Sequence, residues 1–241
     1  MVNDSRYDAI LHSETWKFDD AVSECFDNML ERSIPSYIRM RDLVFSFGRE
    51  FVKENTTIVD IGCSLGNSMA PFIDLFSNRC NYIGIDPSEA MANRATERFK
   101  KYISDGVLKI IPKKIENYEI KSENSVVLSV LSLQFIPPEL RQNVVDSVYN
   151  SLISHGAFIL VEKTRLKSND IAQLYEDIYY DLKRKHGYTD EQIFAKKECL
   201  KNVLIPYTRQ ENETMLRHAG FSTIECFWTD IMFSAWIAIK E

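Results

Sequence analysis

The sequence predicts an α/β fold: a doubly wound, mostly parallel seven-stranded sheet, with helices ahead of the first strand and a helical insertion before the last ones. Three observations carry that expectation. Short, continuous apolar runs alternate with helix-like segments through the middle of the chain, as strands covered on both faces of a parallel sheet require. Two helical patterns precede the first of these runs. The chain closes on two β-rich runs joined by a short turn, which suits an antiparallel pair at a sheet edge.

The elements follow in order. In "FDDAVSECFDNMLERSIPSY", Phe18, Val22, Cys25, Phe26, Met29 and Leu30 recur at helical spacing. A second helix runs through "YIRMRDLVFSFGREFVKE", with Pro35 expected near its first turn, where the missing N–H costs nothing. The strand-like runs are "TTIVDIG", "NYIGID", "VLKIIP", "SVVLSVLSL" and "AFILVEK". Between most of them lie the helical runs "NSMAPFIDLFS", "SEAMANRATERFKKYI" and "PELRQNVVDSVYNSLI". "SHG" is expected to stop the helix before the fifth strand. "SNDIAQLYEDIYYDLKRKHG" and "TDEQIFAKKECLKNVL" then read as two consecutive helices with no strand between them. They break the alternation and form an expected insertion or lid over residues 166–205. "RQENETMLRHAG" is a helix ended by Gly220, and "FSTIECFWTDIMFSAWIAIKE" holds the last two strands, turning near Asp230. The whole is expected to be one domain over residues 1–241, with a helical cap over residues 1–55.

Bulk composition agrees. The chain has 241 residues, 45% apolar and 27% charged, enough to bury a large core without disulfide or metal staples. A net charge of −6 disfavours direct nucleic-acid binding, because a broad footprint on phosphates is basic. The five cysteines, Cys25, Cys63, Cys80, Cys199 and Cys226, are odd in number and form no CxxC, so neither a disulfide framework nor a zinc site is expected. His12, His155, His186 and His218 have no metal-ligand spacing, and His155 and His218 read as helix C-terminal residues. "MVNDSRYDAILHSETW" lacks the apolar core of a signal peptide, and no apolar run reaches bilayer length. A cytoplasmic protein without a membrane partner is expected.

The chemistry concentrates in "TTIVDIGCSLGNSMAPF". Asp60 ends the first strand, Gly62 permits backbone angles closed to other residues, and Gly66 allows close packing of the following helix. Ligands of doubly wound sheets bind beyond the carboxyl ends of the strands. A structural strand-to-helix turn is the competing account of the glycines alone. The second strand ends on Asp86, about 26 residues after Asp60. A carboxylate there can accept both hydroxyl hydrogens of a ribose. GxxxxGK[ST] and GxGxxG are both absent, which points to an adenosine without phosphates. Cys63 reads as a small loop residue, not a nucleophile, since no positioned histidine accompanies it.

"DIGCSLG" with "GID" resembles the class I S-adenosylmethionine-dependent methyltransferases, which have a Rossmann-like methyltransferase fold. "WKFDDAVSECFDNMLERSIPSY", "SLQFIPPELRQ", "LVEK", "DLKRKHGYTDEQI" and "LKNVL" narrow the resemblance to the carboxy-S-adenosyl-L-methionine synthase family. Members use prephenate to carboxylate the methyl carbon of S-adenosylmethionine, feed tRNA wobble-uridine modification, and are homodimers. The resemblance implies that Tyr37, Asp60, Gly62, Cys63 and Ser64 face the cofactor and that Asp86 holds the ribose. It places Pro87, Lys114 and Ile115 near the adenine, and Val130 with Leu131 near the sulfonium. At three positions the chain departs from the family: Lys114 replaces an aspartate, Val130 an asparagine, and Lys197 the arginine that holds the added carboxylate.

A lysine keeps the charge and loses the planar fork of arginine. The exchanges fit a methyltransferase that binds plain S-adenosyl-L-methionine, yields S-adenosyl-L-homocysteine and acts on a small-molecule acceptor. The alternative is carboxy-S-adenosyl-L-methionine synthesis with Lys197 in the arginine's place. A third reading is a binding module that retains the cofactor without turnover. Candidate acceptor contacts are Gln134, Glu162, Lys163, Arg165, Tyr179, Tyr180, Lys197, Tyr207 and Arg209. Helical neighbours diverge, so at most one of Tyr179 and Tyr180 is expected to line the pocket. No general base is assigned, because the sulfonium already makes the methyl group electrophilic.

Overall fold

The structure, a computed structural model, describes residues 16–241. The opening stretch through Thr15, with His12, lies outside the described residues. Two helices, α1 (Asp20–Ser33) and α2 (Tyr37–Gly48), lead into β1 (Thr57–Ile61). There follow α3 (Ala70–Phe76), β2 (Asn81–Ile85), α4 (Glu89–Arg98), α5 (Lys100–Ser104), β3 (Leu108–Ile111) and β4 (Asn124–Val130). The second half contains α6 (Pro138–Ser151), β5 (Leu152–Lys163), α7 (Asn169–Lys185), α8 (Asp190–Leu200), α9 (Arg209–Ala219), β6 (Thr223–Asp230) and β7 (Phe233–Ile239). The strands form one seven-stranded sheet in the order β3-β2-β1-β4-β5-β7-β6. Only β7 runs against its neighbours, pairing antiparallel with β5 and β6.

Strand residues divide between two core layers. Ile58, Val126, Ile159 and Phe233 face the layer that holds Met40, Val44 and Phe72. Val59, Val127, Phe158 and Trp236 face the layer that holds Val145, Val148 and Leu216. Neighbours in sequence point to opposite faces of a strand, so both faces must be apolar and the runs read as continuous. Each such side chain, once buried, stabilises the fold by about 1.5–3 kcal/mol.

Local chemistry sets the helix ends. Asp19 Oδ1 accepts from Val22 N at 3.0 Å and starts α1. Thr189 with Gln192 and Thr208 with Glu211 form capping boxes at α8 and α9. Pro35 stands ahead of the α2 N-cap, Ser36, instead of in the first turn. Gly220 closes α9 at φ 113°. Two further expectations are corrected at β5. The helix before it ends at Ser151, and β5 begins at once, with "SHG" inside the strand as an irregularity. Asn124 pairs with Leu152 and Val126 with Ala157, so the intervening residues loop out and His155 takes φ 60°. His155 is therefore a strand residue and not a helix end.

The insertion packs on the cap. Trp16, Phe26, Met29, Tyr188 and Ile193 share a third apolar cluster. Ser33 Oγ meets Tyr188 Oη at 2.8 Å, and Arg32 Nε donates to His186 O at 2.8 Å. Cap and insertion thus roof one end of the sheet together.

Candidate functional site

Beneath that roof a cavity of about 550 Å³ opens at the carboxyl ends of β1, β2, β4 and β5, where a doubly wound sheet is expected to take its ligand. Its floor is Gly62, Cys63 and Ser64 after β1, Asp86 and Pro87 after β2, Val130 and Leu131 at the end of β4, and Lys163 ending β5. Tyr37, Gln134, Tyr179, Tyr180 and Lys197 also line it. Thirteen of the site residues singled out in the sequence are thus brought to one cavity by four strands and three helices distant in the chain.

The loop after β1 is built by backbone constraint. Gly62, Ser64 and Gly66 all have positive φ, at 69°, 47° and 77°. A Cβ on Gly62 would run into Ser132 Oγ, so the close approach of the β1 and β4 loops requires glycine. Ser64 N and Ser88 N each donate to one oxygen of Asp86 at 2.8 Å. Those bonds aim the carboxylate and leave each oxygen a further lone pair, as two ribose hydroxyls need. Burial raises the Asp86 pKa against the pull of these backbone bonds.

Asp60 lies beneath the loop and does not line the cavity; burial, reinforced by the charge of Asp86, pushes it up to about 8. Its Oδ2 is buried without a hydrogen-bond partner. The positioned Asp86 carboxylate and the positive-φ backbone of Gly62 and Ser64, both open to the cavity, make the site fit S-adenosylmethionine. The Cys63 thiol, pushed well up by burial and then by Asp60 and Asp86, stays protonated.

The far wall is lysine-rich and aromatic. Lys163 and Lys183 each place their Nζ 4.8 Å from the Tyr179 ring centre. Lys196 Nζ donates to Ser33 Oγ at 3.3 Å and lies 5.2 Å from the Trp16 ring. Burial pulls Lys163 down to about 8 and Lys196 to about 7, and lowers Lys183 well below the usual lysine range, with the other lysines adding repulsion. Lys197 is different. It is half exposed and paired with Glu176 at 3.1 Å.

Several candidates are placed elsewhere. Lys114 is exposed and Ile115 is in the core, because the chain turns sharply after β3 with Lys113 N bonded to Ile111 O. Glu162 is buried and accepts from Leu133 N at 3.0 Å, steadying the loop after β4. Arg165 pairs with Glu211, and Tyr207 lies under Arg141 at 4.4 Å, its hydroxyl bonded to Pro138 O. The bridge between Thr164 and Tyr207 turns this stretch away from the cavity. Arg209 is exposed in the first turn of α9. The expectation for the tyrosine pair is also corrected. Tyr179 and Tyr180 both line the cavity, with ring centres 5.9 Å apart. Tyr179 packs on Phe233 of the sheet and Tyr180 faces Lys197, so the cavity wraps around the helix edge.

Sequence reasoning missed Lys183, Lys196 and Glu176, which line the same wall. Lys183 stands one turn after Tyr179 on α7, a spacing that puts the two on one face. No helix of the described residues is long and apolar enough to cross a membrane, and none of their His, Cys, Asp and Glu side chains form a group of three placed to hold a metal.

Known proteins resemble this chain at two levels. A family model described as a methyltransferase domain matches residues 58–156. The carboxy-S-adenosyl-L-methionine synthase of Pseudoalteromonas atlantica is 34% identical over 227 residues, covering 94% of this chain and 93% of the relative. That of Shewanella oneidensis is 33% identical over 230 residues, covering 95% and 94%. Among solved structures, human N-acetylserotonin methyltransferase in complex with S-adenosylmethionine superposes with a TM-score of 0.62 at 13% identity, over 98% of this chain and 59% of that one. An O-methyltransferase family 2 protein from Planctomyces limnophilus gives a TM-score of 0.55 at 13% identity, over 79% and 52%. These last two likenesses concern the fold alone.

Proposed function

The chain belongs to the carboxy-S-adenosyl-L-methionine synthase family and is an S-adenosylmethionine-dependent transferase; from that premise we propose that it transfers a methyl group to a small anionic acceptor. The observation that carries this reading is the Lys197–Glu176 ion pair at 3.1 Å. By resemblance, position 197 is where a cation grips an added carboxylate. Here its charge is already answered by Glu176. Val130 brings no hydrogen bond to the same end of the site.

When bound, S-adenosylmethionine supplies an electrophilic methyl group on its sulfonium. The chain's own residues bind and orient. Tyr37 and the backbone of Gly62, Cys63 and Ser64 hold the amino-acid end with Asp60 behind the loop, Asp86 takes the ribose, and Pro87 borders the adenine. Lys114 and Ile115, outside the cavity, are left a supporting part at most. Val130 keeps the sulfonium end apolar. Lys163 and Lys183 attract the acceptor's negative charge, while Gln134 steadies the end of β5 by accepting from Lys163 N at 2.9 Å. Holding acceptor and methyl in line is the main contribution asked of the protein.

Carboxy-S-adenosyl-L-methionine synthesis from prephenate is the second reading. It is favoured by 34% identity over 94% of the chain, and by buried lysines suited to two carboxylates. Mass spectrometry of small molecules released after incubation with S-adenosylmethionine, with and without prephenate, separates the two. Plain cofactor or S-adenosylhomocysteine is expected; a carboxylated cofactor overturns the first reading.

Two further features belong to the proposal. The protein works as a homodimer. Ile171, Leu174 and Ile178 recur along α7 at 44%, 53% and 45% exposure, an apolar stripe that a second copy would cover. Light scattering should give twice the chain mass, and a monomer at micromolar concentration rules this out. It resides in the cytoplasm, since all five cysteines are free thiols and a reducing compartment keeps them so. Fractionation of cells producing a tagged chain checks that placement. No nucleic acid is taken as a direct partner, on the grounds of the net charge of −6. A gel-shift with tRNA should show no complex.

A further inference from the structure

The loop over residues 62–68 has three positive-φ residues and no strand ladder to hold it. It is tied to three helices through one residue, to two of them by its side chain and to the third by its backbone carbonyl. Asn67 Nδ2 donates to Asp27 Oδ1 on α1 at 2.5 Å. Asn67 Oδ1 accepts from Arg98 Nη1 on α4 at 2.6 Å, and the same nitrogen donates to Leu65 O at 2.8 Å. The Asn67 carbonyl accepts from Arg41 Nη2 on α2 at 2.5 Å. Asn67 is itself buried, and it lines the cavity together with Ser68 and Tyr37.

The same residues surround Tyr37. Its hydroxyl is pushed up to about 12, chiefly by burial, with Arg41 pulling down, Asp27 pushing up and the Asn67 side chain pulling down. Arg41 lies 5.6 Å from the Tyr37 ring. The cap and the cofactor loop therefore meet in a polar knot at the rim of the cavity, and every bond of that knot passes through or beside position 67.

We infer that Asn67 is a positioning residue that clasps the α1–α2 cap onto the cofactor loop, so that Tyr37 is presented to the amino-acid end of the bound cofactor. The inference rests on the S-adenosylmethionine reading of the site, and is indifferent to whether a methyl or a carboxyl group moves. A bond between a neutral donor and a carboxylate is among the stronger hydrogen bonds of a protein. Its loss should loosen the cap and speed cofactor release.

The test uses the full chain and S-adenosylhomocysteine as probe, with dissociation constants from calorimetry and melting temperatures measured in parallel. Asn67→Ala should weaken binding about tenfold. Asp27→Asn, at an exposed position, should weaken it by a smaller factor and keeps the test open if the first variant does not fold. The exchange Asp27→Asn with Asn67→Asp reverses the donor and acceptor and retains a partner for Arg98. It should restore binding to within about threefold of the parent. Gly220→Ala, at the end of a helix remote from the cavity, should lower the melting temperature without changing the dissociation constant. Variants that melt lower yet bind with the parental constant, or an exchange that restores nothing, would overturn the inference. A parent chain that binds no S-adenosylhomocysteine overturns the cofactor reading instead, and the inference with it.

Discussion

Asp86 shows how much one side chain can do when two backbone groups aim it. Ser64 N and Ser88 N occupy one lone pair on each of its oxygens. Asp86→Asn would turn an NH2 group toward one of those N–H donors and remove an acceptor from the ribose. Each charge-assisted bond lost costs about 1.5–3 kcal/mol, so S-adenosylhomocysteine affinity should fall roughly 10–100-fold by calorimetry. The lysines make a second prediction at this scale. Lys196 and Lys163 are held near 7 and 8 by burial, and a bound anion favours their charged forms. An anionic acceptor should therefore bind with proton uptake around pH 7–8, and its affinity should fall as pH rises through that range. Calorimetry in buffers of different ionisation enthalpy reads the uptake directly; equal heats in all buffers would refute it. Asp60 and Asp86 were legible in the sequence as strand-end acids because strand ends are marked by sharp changes of residue type. Lys183 and Lys196 were not, because a lysine on a polar helix looks solvated until the opposing wall is known.

At the scale of elements, caps and turns were readable one residue at a time. Gly220 ends α9 at φ 113°, and an added Cβ would approach Tyr149 Cζ to 2.8 Å. Gly220→Ala should destabilise the fold by about 1–2 kcal/mol or more from the left-handed backbone alone. Urea denaturation measures it, and a loss below a few tenths of a kcal/mol would contradict the account. Helix α9 is remote from the cavity, so cofactor affinity should not change. The boundary of β5 was not readable. Its first residues pair with Asn124 across an irregularity, and Gly156 sits 3.1 Å from Ser125 O by its added Cβ. Only the neighbouring strand reveals that "SHG" is inside a strand, since glycine and histidine carry the same local signal at a helix end. The tyrosine pair failed for a related reason: the angle between neighbours on a helix was right, but the cavity covers a wider arc than one helix face.

For the whole molecule, buried acids set the dependence of stability on pH. Glu162 is raised from 4.5 to about 8, chiefly by burial and against the pull of Arg141 and three backbone N–H groups. Asp60 is raised from 3.8 to about 8. Between the unfolded and folded values the native state binds more protons than the unfolded chain, so stability falls as pH rises. Their contribution is fully present below about pH 4 and is lost by about pH 8. Glu162→Gln should lose less stability than the parent between pH 5 and pH 8 in urea titrations; parallel curves would show that Glu162 is ionised throughout. By itself the sequence determined the doubly wound sheet, its order of elements and the glycine loop that follows β1. These follow from apolar periodicity and from backbone angles that glycine alone adopts freely, both local properties. Tertiary structure alone decided that Lys197 is paired with Glu176, that Lys163 and Lys183 flank Tyr179, and that Asn67 joins three helices to the loop. Each of those depends on distances between residues far apart in the chain, and on the desolvation that packing imposes on their charges.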